Sequence, residues 1–305
     1  MTVLALAACT PTPAEVSGEE WRLSIVSSGA SYPMKLVGDT VGGAWGMSGG
    51  AWVHVNAEGS VSNRFQDEIM PSPWKVTAFD AVTPDVFAVG AVWADGDLFG
   101  DILLFDASSR TPSVLFHAER PVGDLAATPD QIFFVSYDAS DDRAFDVSHV
   151  DTRTGAVSPF ASVSGAGRTA SIDVDSSGAV HVATESGRTV VSPAGDVIAR
   201  DEEQAADPRI AVSPSGRVLR VSDAEDGVTP GAVAGDSRAF TESSSGRDAC
   251  AERWLLVEGG QTQSRIEAPC DIAGFAWLDD ETFLVSAGDE SRSVMVKVRP
   301  PRTFP

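Results

Sequence analysis

In this 305-residue chain, Asp173-Val174-Asp175-Ser176-Ser177-Gly178 comes nearest to a chemical motif. Two aspartates one residue apart, then serines and a glycine, match the opening of a calcium loop, D-x-D-x-S-G. Such a loop needs a bidentate Glu at its twelfth position. Here that position is Thr184, with Glu185 one residue out of register. The segment also aligns with turn sequences elsewhere in the chain, so the expectation is a hairpin turn. No metal ligand is assigned. The expectation is no cofactor, with calcium (Ca) as the alternative.

The four histidines, His54, His117, His149 and His181, fall in different stretches of the chain. No two have the close spacing of a metal pair. His181 lies within the alternating run AVHVAT and reads as a strand-face residue. No G-x-S-x-G elbow exists to present a nucleophilic serine. The glycines of GGAWGMSGG (42–50) lack the G-K-[ST] ending of a phosphate loop, and read as bends or close packing in strands. No catalytic residue is assigned.

The elements around these residues are short, apolar and alternating. TASIDVDSSGAVHVATESGRTVVSPAGDVIAR (169–200) and PRIAVSPSGRVLRVSD (208–223) share a skeleton of strand, polar turn and strand. It recurs in VTAFDAVTPDVFAVGAV (76–92), VGDLAATPDQIFFVSYD (122–138) and IAGFAWLDDETFLVSAGD (272–289). The turns are SSG, SPSG, TPD, TPD and LDD, residues that close hairpins. Third and fourth strands follow in most units, and no capped 3.6-residue stripe competes. Four short strands repeated about every 40 residues is the pattern of propeller blades.

The expected fold is all-β: a β-propeller of six blades, each of four antiparallel strands. The sixth unit supplies three strands, and WRLSIVSS (21–28) precedes the first unit. Pairing this N-terminal strand with 293–299 would close the ring and remove two open edges. Seven blades is the alternative, if 224–262 forms a unit of its own. The Gly-, Ser- and acid-rich insertion 223–249 reads as a mobile loop.

Trp45, Trp52, Trp74 and Trp93 fall in the first two units, and Trp254 and Trp277 in the last two. Packing between blades is their expected role, with an aromatic glycan or peptide surface as the alternative. Net charge is −22, so a phosphate backbone is an unfavourable partner and no nucleic acid is expected. No run of about 18–20 apolar residues follows the N-terminal stub, so no membrane span is expected.

The stub MTVLALAACTPTPAE carries an address. Leu6-Ala7-Ala8-Cys9 resembles the lipobox of bacterial lipoproteins, which implies lipidation at Cys9 after removal of a signal peptide. The apolar run is short and has no Lys or Arg before Cys9, which points to a translation start inside a longer signal. Residues 1–9 then read as signal remnant and lipobox, 10–20 as a flexible tether, and 21–305 as the propeller domain. With Cys9 lipidated, Cys250 and Cys270 remain as an even pair. Outside the membrane such a pair reads as a disulfide, worth roughly 3 kcal/mol for a loop of about 20 residues.

The body resembles the lipoprotein propellers of high-GC bacteria, and its blades are similar to loose NHL and gluconolactonase-type repeats. Six-bladed calcium lactonases hold their metal with Glu, Asn and Asp on inner strands. The asparagines here, Asn56 and Asn63, are in or just after the last strands of the first unit and are poorly placed for that role. A site of aspartates alone stays open. The expected function is a monomeric binding or scaffolding module, lipid-anchored at the extracytoplasmic face of the cell membrane. Its partners would be a protein, peptide or glycan of the envelope. The alternative is a metal-dependent hydrolase or lactonase with carboxylates in the central funnel. Enzyme activity is left open.

Overall fold

The computed structural model describes residues 22–28, 35–39, 41–48, 51–57, 61–65, 74–93, 100–137, 144–165, 169–202, 207–222, 253–259, 262–268, 272–289 and 292–299. Every regular element among them is a strand, and the fold is an all-β propeller. The expectations for Cys9, Cys250, Cys270, the tether 10–20 and the insertion 223–249 fall outside the described residues.

The chain enters through β1 (Arg22–Ser28). Five four-stranded antiparallel sheets follow, each built from consecutive strands. The first holds β2 (Lys35–Gly38), β3 (Ala44–Ser48), β4 (Ala51–Val55) and β5 (Val61–Phe65). The second holds β6 (Trp74–Thr83), β7 (Val86–Trp93), β8 (Gly100–Asp106) and β9 (Thr111–Ala118). The third comprises β10 (Val122–Ala127), β11 (Gln131–Tyr137), β12 (Ala144–Asp151) and β13 (Val157–Ser164). The fourth comprises β14 (Ala170–Val174), β15 (Val180–Thr184), β16 (Gly187–Val191) and β17 (Val197–Asp201). The fifth runs β18 (Ile210–Val212), β19 (Val218–Ser222), β20 (Arg253–Gly259) and β21 (Thr262–Ala268). The final strands are β22 (Ile272–Trp277), β23 (Phe283–Asp289) and β24 (Arg292–Arg299), and they share a sheet with β1 in the order β1-β24-β23-β22. Arg22 stands opposite Arg299 and Ser28 opposite Val294 in that antiparallel pair.

First strands stand next to one another from sheet to sheet: β2 beside β6, then β10, β14, β18 and β22, with β22 beside β2. Burial follows position within a sheet. Every residue of the second strand β15 is buried, whereas the fourth strand β17 is exposed from Val197 to Arg200. The second strands therefore carry unbroken apolar runs such as Val86-Phe87-Ala88-Val89, because both of their faces are covered by neighbouring sheets.

The joint between the first two sheets is aromatic. Trp52 packs edge-on against Phe79 at 4.7 Å and stacks on Phe105 at 6.1 Å. Trp45 meets Phe87 edge-on at 4.9 Å, and its indole Nε1 donates to the Pro84 carbonyl. Trp277 lies against Phe283 and donates across the joint between the last and fifth sheets to the Ala211 carbonyl at 3.2 Å. These three indoles are buried between sheets, so they fill joints rather than form a ligand surface. The side chains of Trp74, Trp93 and Trp254 lie outside the described set.

Candidate functional site

The inner strands carry charge where the apolar pattern is briefly interrupted. Lys35 on β2, Asp80 on β6 and Asp124 on β10 each lie three residues before the last residue of the strand, and Asp173 on β14 lies one residue before it. Their side chains reach from sheet to sheet. Asp80 Oδ2 accepts the N–H of Ala127 on β10 at 2.6 Å, while its Oδ1 accepts the N–H of Ala81 at 2.8 Å. Asp173 repeats the arrangement: Oδ2 takes the Val212 N–H of β18 at 2.6 Å and Oδ1 the Val174 N–H at 2.7 Å.

Asp124 serves the joint between these two. Its Oδ2 accepts from Ser171 Oγ at 2.9 Å and from the Ile172 N–H at 3.1 Å, both on β14. The Ser171 hydroxyl in turn accepts the Ile210 N–H at 3.3 Å, which extends the chain of bonds to β18. Asp124 Oδ1 receives the Lys35 ammonium, which links the first sheet to the third. At the next joint Arg209, held by Asp207, donates to the Ile272 carbonyl at 2.7 Å. Each of these bonds ties a carboxyl oxygen of one sheet to a backbone N–H of the next, so the contacts stiffen the inner wall.

The electrostatics of the cluster are unequal. Burial pushes the Asp173 carboxyl up to about 8, and the charge of Asp80 adds to the push; the Val212 and Val174 N–H groups and Lys35 oppose it. Burial also raises Asp80, to about 6, against the Ala127 and Ala81 N–H groups and Lys35, with the Asp124 charge adding to the rise. Two interacting carboxyls titrate as a pair, and the direction for both is upward.

The calcium-like segment is a turn. Asp175 Oδ1 accepts from the Ser177 N–H at 2.9 Å, the Ser177 hydroxyl at 2.6 Å and the Ala179 N–H at 3.0 Å. Gly178 closes the turn with φ of 80°, a conformation that favours glycine. Asp173 points its carboxylate into the joint instead. Among the described residues, no group of three or more His, Cys, Asp or Glu side chains could hold a metal ion.

The histidines are dispersed over four sheets. His54 Nε2 meets Asp39 Oδ2 at 2.8 Å, and His117 Nδ1 meets Asp101 Oδ1 at 2.8 Å. His149 packs between Phe133 and Phe160. His181 lies 3.4 Å from Asp175, and burial holds its imidazole below the ordinary value in spite of that carboxylate. Asn63 lies on β5, the fourth strand of its sheet, away from the inner strands.

Geometry and sheet order define a β-propeller whose inner strands are joined by carboxylates. No protein-family model matches the chain, and comparison with curated proteins finds no match. Solved structures do match. TolB from Acinetobacter baumannii aligns with a TM-score of 0.55 at 11% identity, over 83% of this chain and 60% of that one. The chain thus spans 60% of TolB's length. A structural genomics protein of unknown function from Bacteroides thetaiotaomicron aligns with a TM-score of 0.53 at 10% identity, over 92% of this chain and 76% of its own. A putative TolB from Agrobacterium tumefaciens gives 0.51 at 14% identity, over 90% and 91% of the two chains. At such identities the likeness is one of fold.

Proposed function

We propose that the protein is a propeller-shaped binding or scaffolding module, tethered at the extracytoplasmic face of the cell membrane by lipid on Cys9. It is a monomer that presents its surface to a protein, peptide or glycan of the envelope. The observation that carries the reading is the use of the inner-strand aspartates. A lactonase-like propeller would need them free to converge on a metal. Here the carboxylates of Asp80 and Asp173 accept two backbone N–H bonds each, and Asp124 is engaged by Ser171, Ile172 and Lys35. Their chemistry is spent on holding sheets together.

In the same reading the sheet β1-β24-β23-β22 is the sixth blade and β1 its closing strand. The support is the continuous neighbourhood of first strands from β2 to β22 and back to β2.

Two experiments test the proposal. Expressed from its genomic start, the protein should partition into detergent, and Cys9→Ala should leave it in the aqueous phase; a membrane-bound Cys9→Ala protein rules out the anchor. The folded body should show no turnover on a panel of lactones with added calcium. Calcium-dependent hydrolysis that disappears in Asp124→Asn would replace the binding module with the hydrolase.

A further inference from the structure

Asp101 on β8 and His117 on β9 stand opposite each other in register, and His117 Nδ1 lies 2.8 Å from Asp101 Oδ1. The two ends of this bond have different surroundings. The Asp101 side chain is 8% exposed and the His117 side chain 79%. A carboxylate can only accept, so Nδ1 carries the proton and the neutral ring keeps its lone pair on Nε2.

Asp101 differs from the other buried aspartates. Asp39, Asp80, Asp124 and Asp173 each accept backbone N–H groups. Among the described residues, the side chain of Asp101 has one hydrogen bond, and it goes to His117. Burying a carboxylate is costly, and here it fixes a single exposed imidazole. The other histidines are placed otherwise. His54 and His181 turn Nε2 toward Asp39 and Asp175, and His149 packs between Phe133 and Phe160.

A carboxylate on one ring nitrogen is the arrangement that orients a metal-bound histidine and makes its other nitrogen a better donor. A second donor is close in the chain. Ala118 is buried while His117 and Glu119 on either side of it are exposed, so the chain turns both outward. Arg120, the next residue, is directed to Asp146.

We propose that His117, held in place by Asp101, is a coordination point for a divalent cation of the zinc class, with Glu119 as the second protein donor. Imidazole nitrogen and carboxylate oxygen both suit zinc. The net charge of −22 raises the local concentration of cations. Two protein donors leave the rest of the shell to water or to a donor from another molecule. This is an open surface site, unlike a closed centre of three or more side chains, of which there is none among the described residues. Asp101 is a positioning residue and does not touch the ion. The inference rests on the β8–β9 pair alone, so it stands or falls separately from the lipid anchor.

The test is zinc chloride titration of the full chain, followed by ring NMR of histidine-labelled protein. His117→Gln assigns the ring signal. That signal should move on adding zinc up to millimolar concentration, ahead of those of His54, His149 and His181, and calcium chloride should leave it in place. Asp101→Asn should weaken zinc binding at His117 by about tenfold, and Glu119→Gln should weaken it as well. A His117 signal unmoved by millimolar zinc overturns the site. So does an equal response to calcium, or an affinity unchanged in Asp101→Asn, which would make His117 an ordinary surface imidazole. If Asp101→Asn does not fold, the exposed Glu119→Gln decides the matter, and unchanged affinity there overturns the two-donor site.

Discussion

His54 Nε2 lies 2.8 Å from Asp39 Oδ2, and that carboxylate also accepts the N–H groups of Val41 and Gly43 at 2.9 and 2.7 Å through Oδ1. Asp39 thereby holds the β2–β3 turn to the third strand of its sheet. Burial alone would raise its carboxyl, but His54 and the two N–H groups hold it below the ordinary aspartate value of 3.8. Replacing Asp39 by Ala leaves the buried Gly43 N–H without its acceptor and His54 without its carboxylate, and should cost about 1–3 kcal/mol. The wild-type contribution is present above pH 3.8 and is lost as pH falls through the lowered value. Urea unfolding at pH 7 and pH 3 should therefore show a smaller difference between wild type and Asp39→Ala at the lower pH. Equal differences at both would exclude this role.

Trp52 is 2% exposed in the joint between the first two sheets and touches Phe79, Phe87 and Phe105. Trp52→Ala opens a cavity among aromatic rings and should destabilise by about 3–5 kcal/mol. Trp52→Phe retains most of the packing and should cost clearly less. Chemical denaturation of both variants is the check; a Trp52→Ala protein as stable as wild type would mean the joint does not hold the sheets.

Deleting residues 10–20 should leave thermal stability unchanged if this stretch is a tether. Deleting 10–28 removes β1 and with it the partner of β24, exposing the backbone edge from Val294 to Arg299. That truncation should melt earlier and aggregate. If both truncations melt with the intact body, β1 is not a closing strand.

Cys250 and Cys270 should be joined in exported protein. Peptide mapping without reductant should find them as one cross-linked species, and reduction should lower the melting temperature. Two thiols that alkylate freely in exported protein would remove the disulfide.

The strands and turns were legible because their signals are local. SSG, SPSG and TPD announce hairpins by backbone preference, and the unbroken run Phe87-Ala88-Val89 announces a strand covered on both faces. Trp45, Trp52 and Trp277 were readable as packing for the same reason of size and apolarity. The inner carboxylates were not. Asp173 drew notice for its spacing to Asp175, yet its partner is Val212, far along the chain. Asp80 and Asp124 drew none. A signal was present: AFDAV, VGDLA and SIDVD each place an aspartate in an otherwise apolar first strand, shortly before its turn. What such a residue bonds to depends on the neighbouring sheet, which no local window contains.

Four inter-sheet bonds of the inner wall run forward along the chain. Asp80 reaches forward to Ala127, Asp124 to Ile172, Asp173 to Val212, and Arg209 to Ile272. A sheet leaving the ribosome therefore carries an acceptor or donor whose partner has not yet been made. A chain interrupted after the second, third or fourth sheet would therefore end in a sheet whose inner carboxyl lacks its inter-sheet partner.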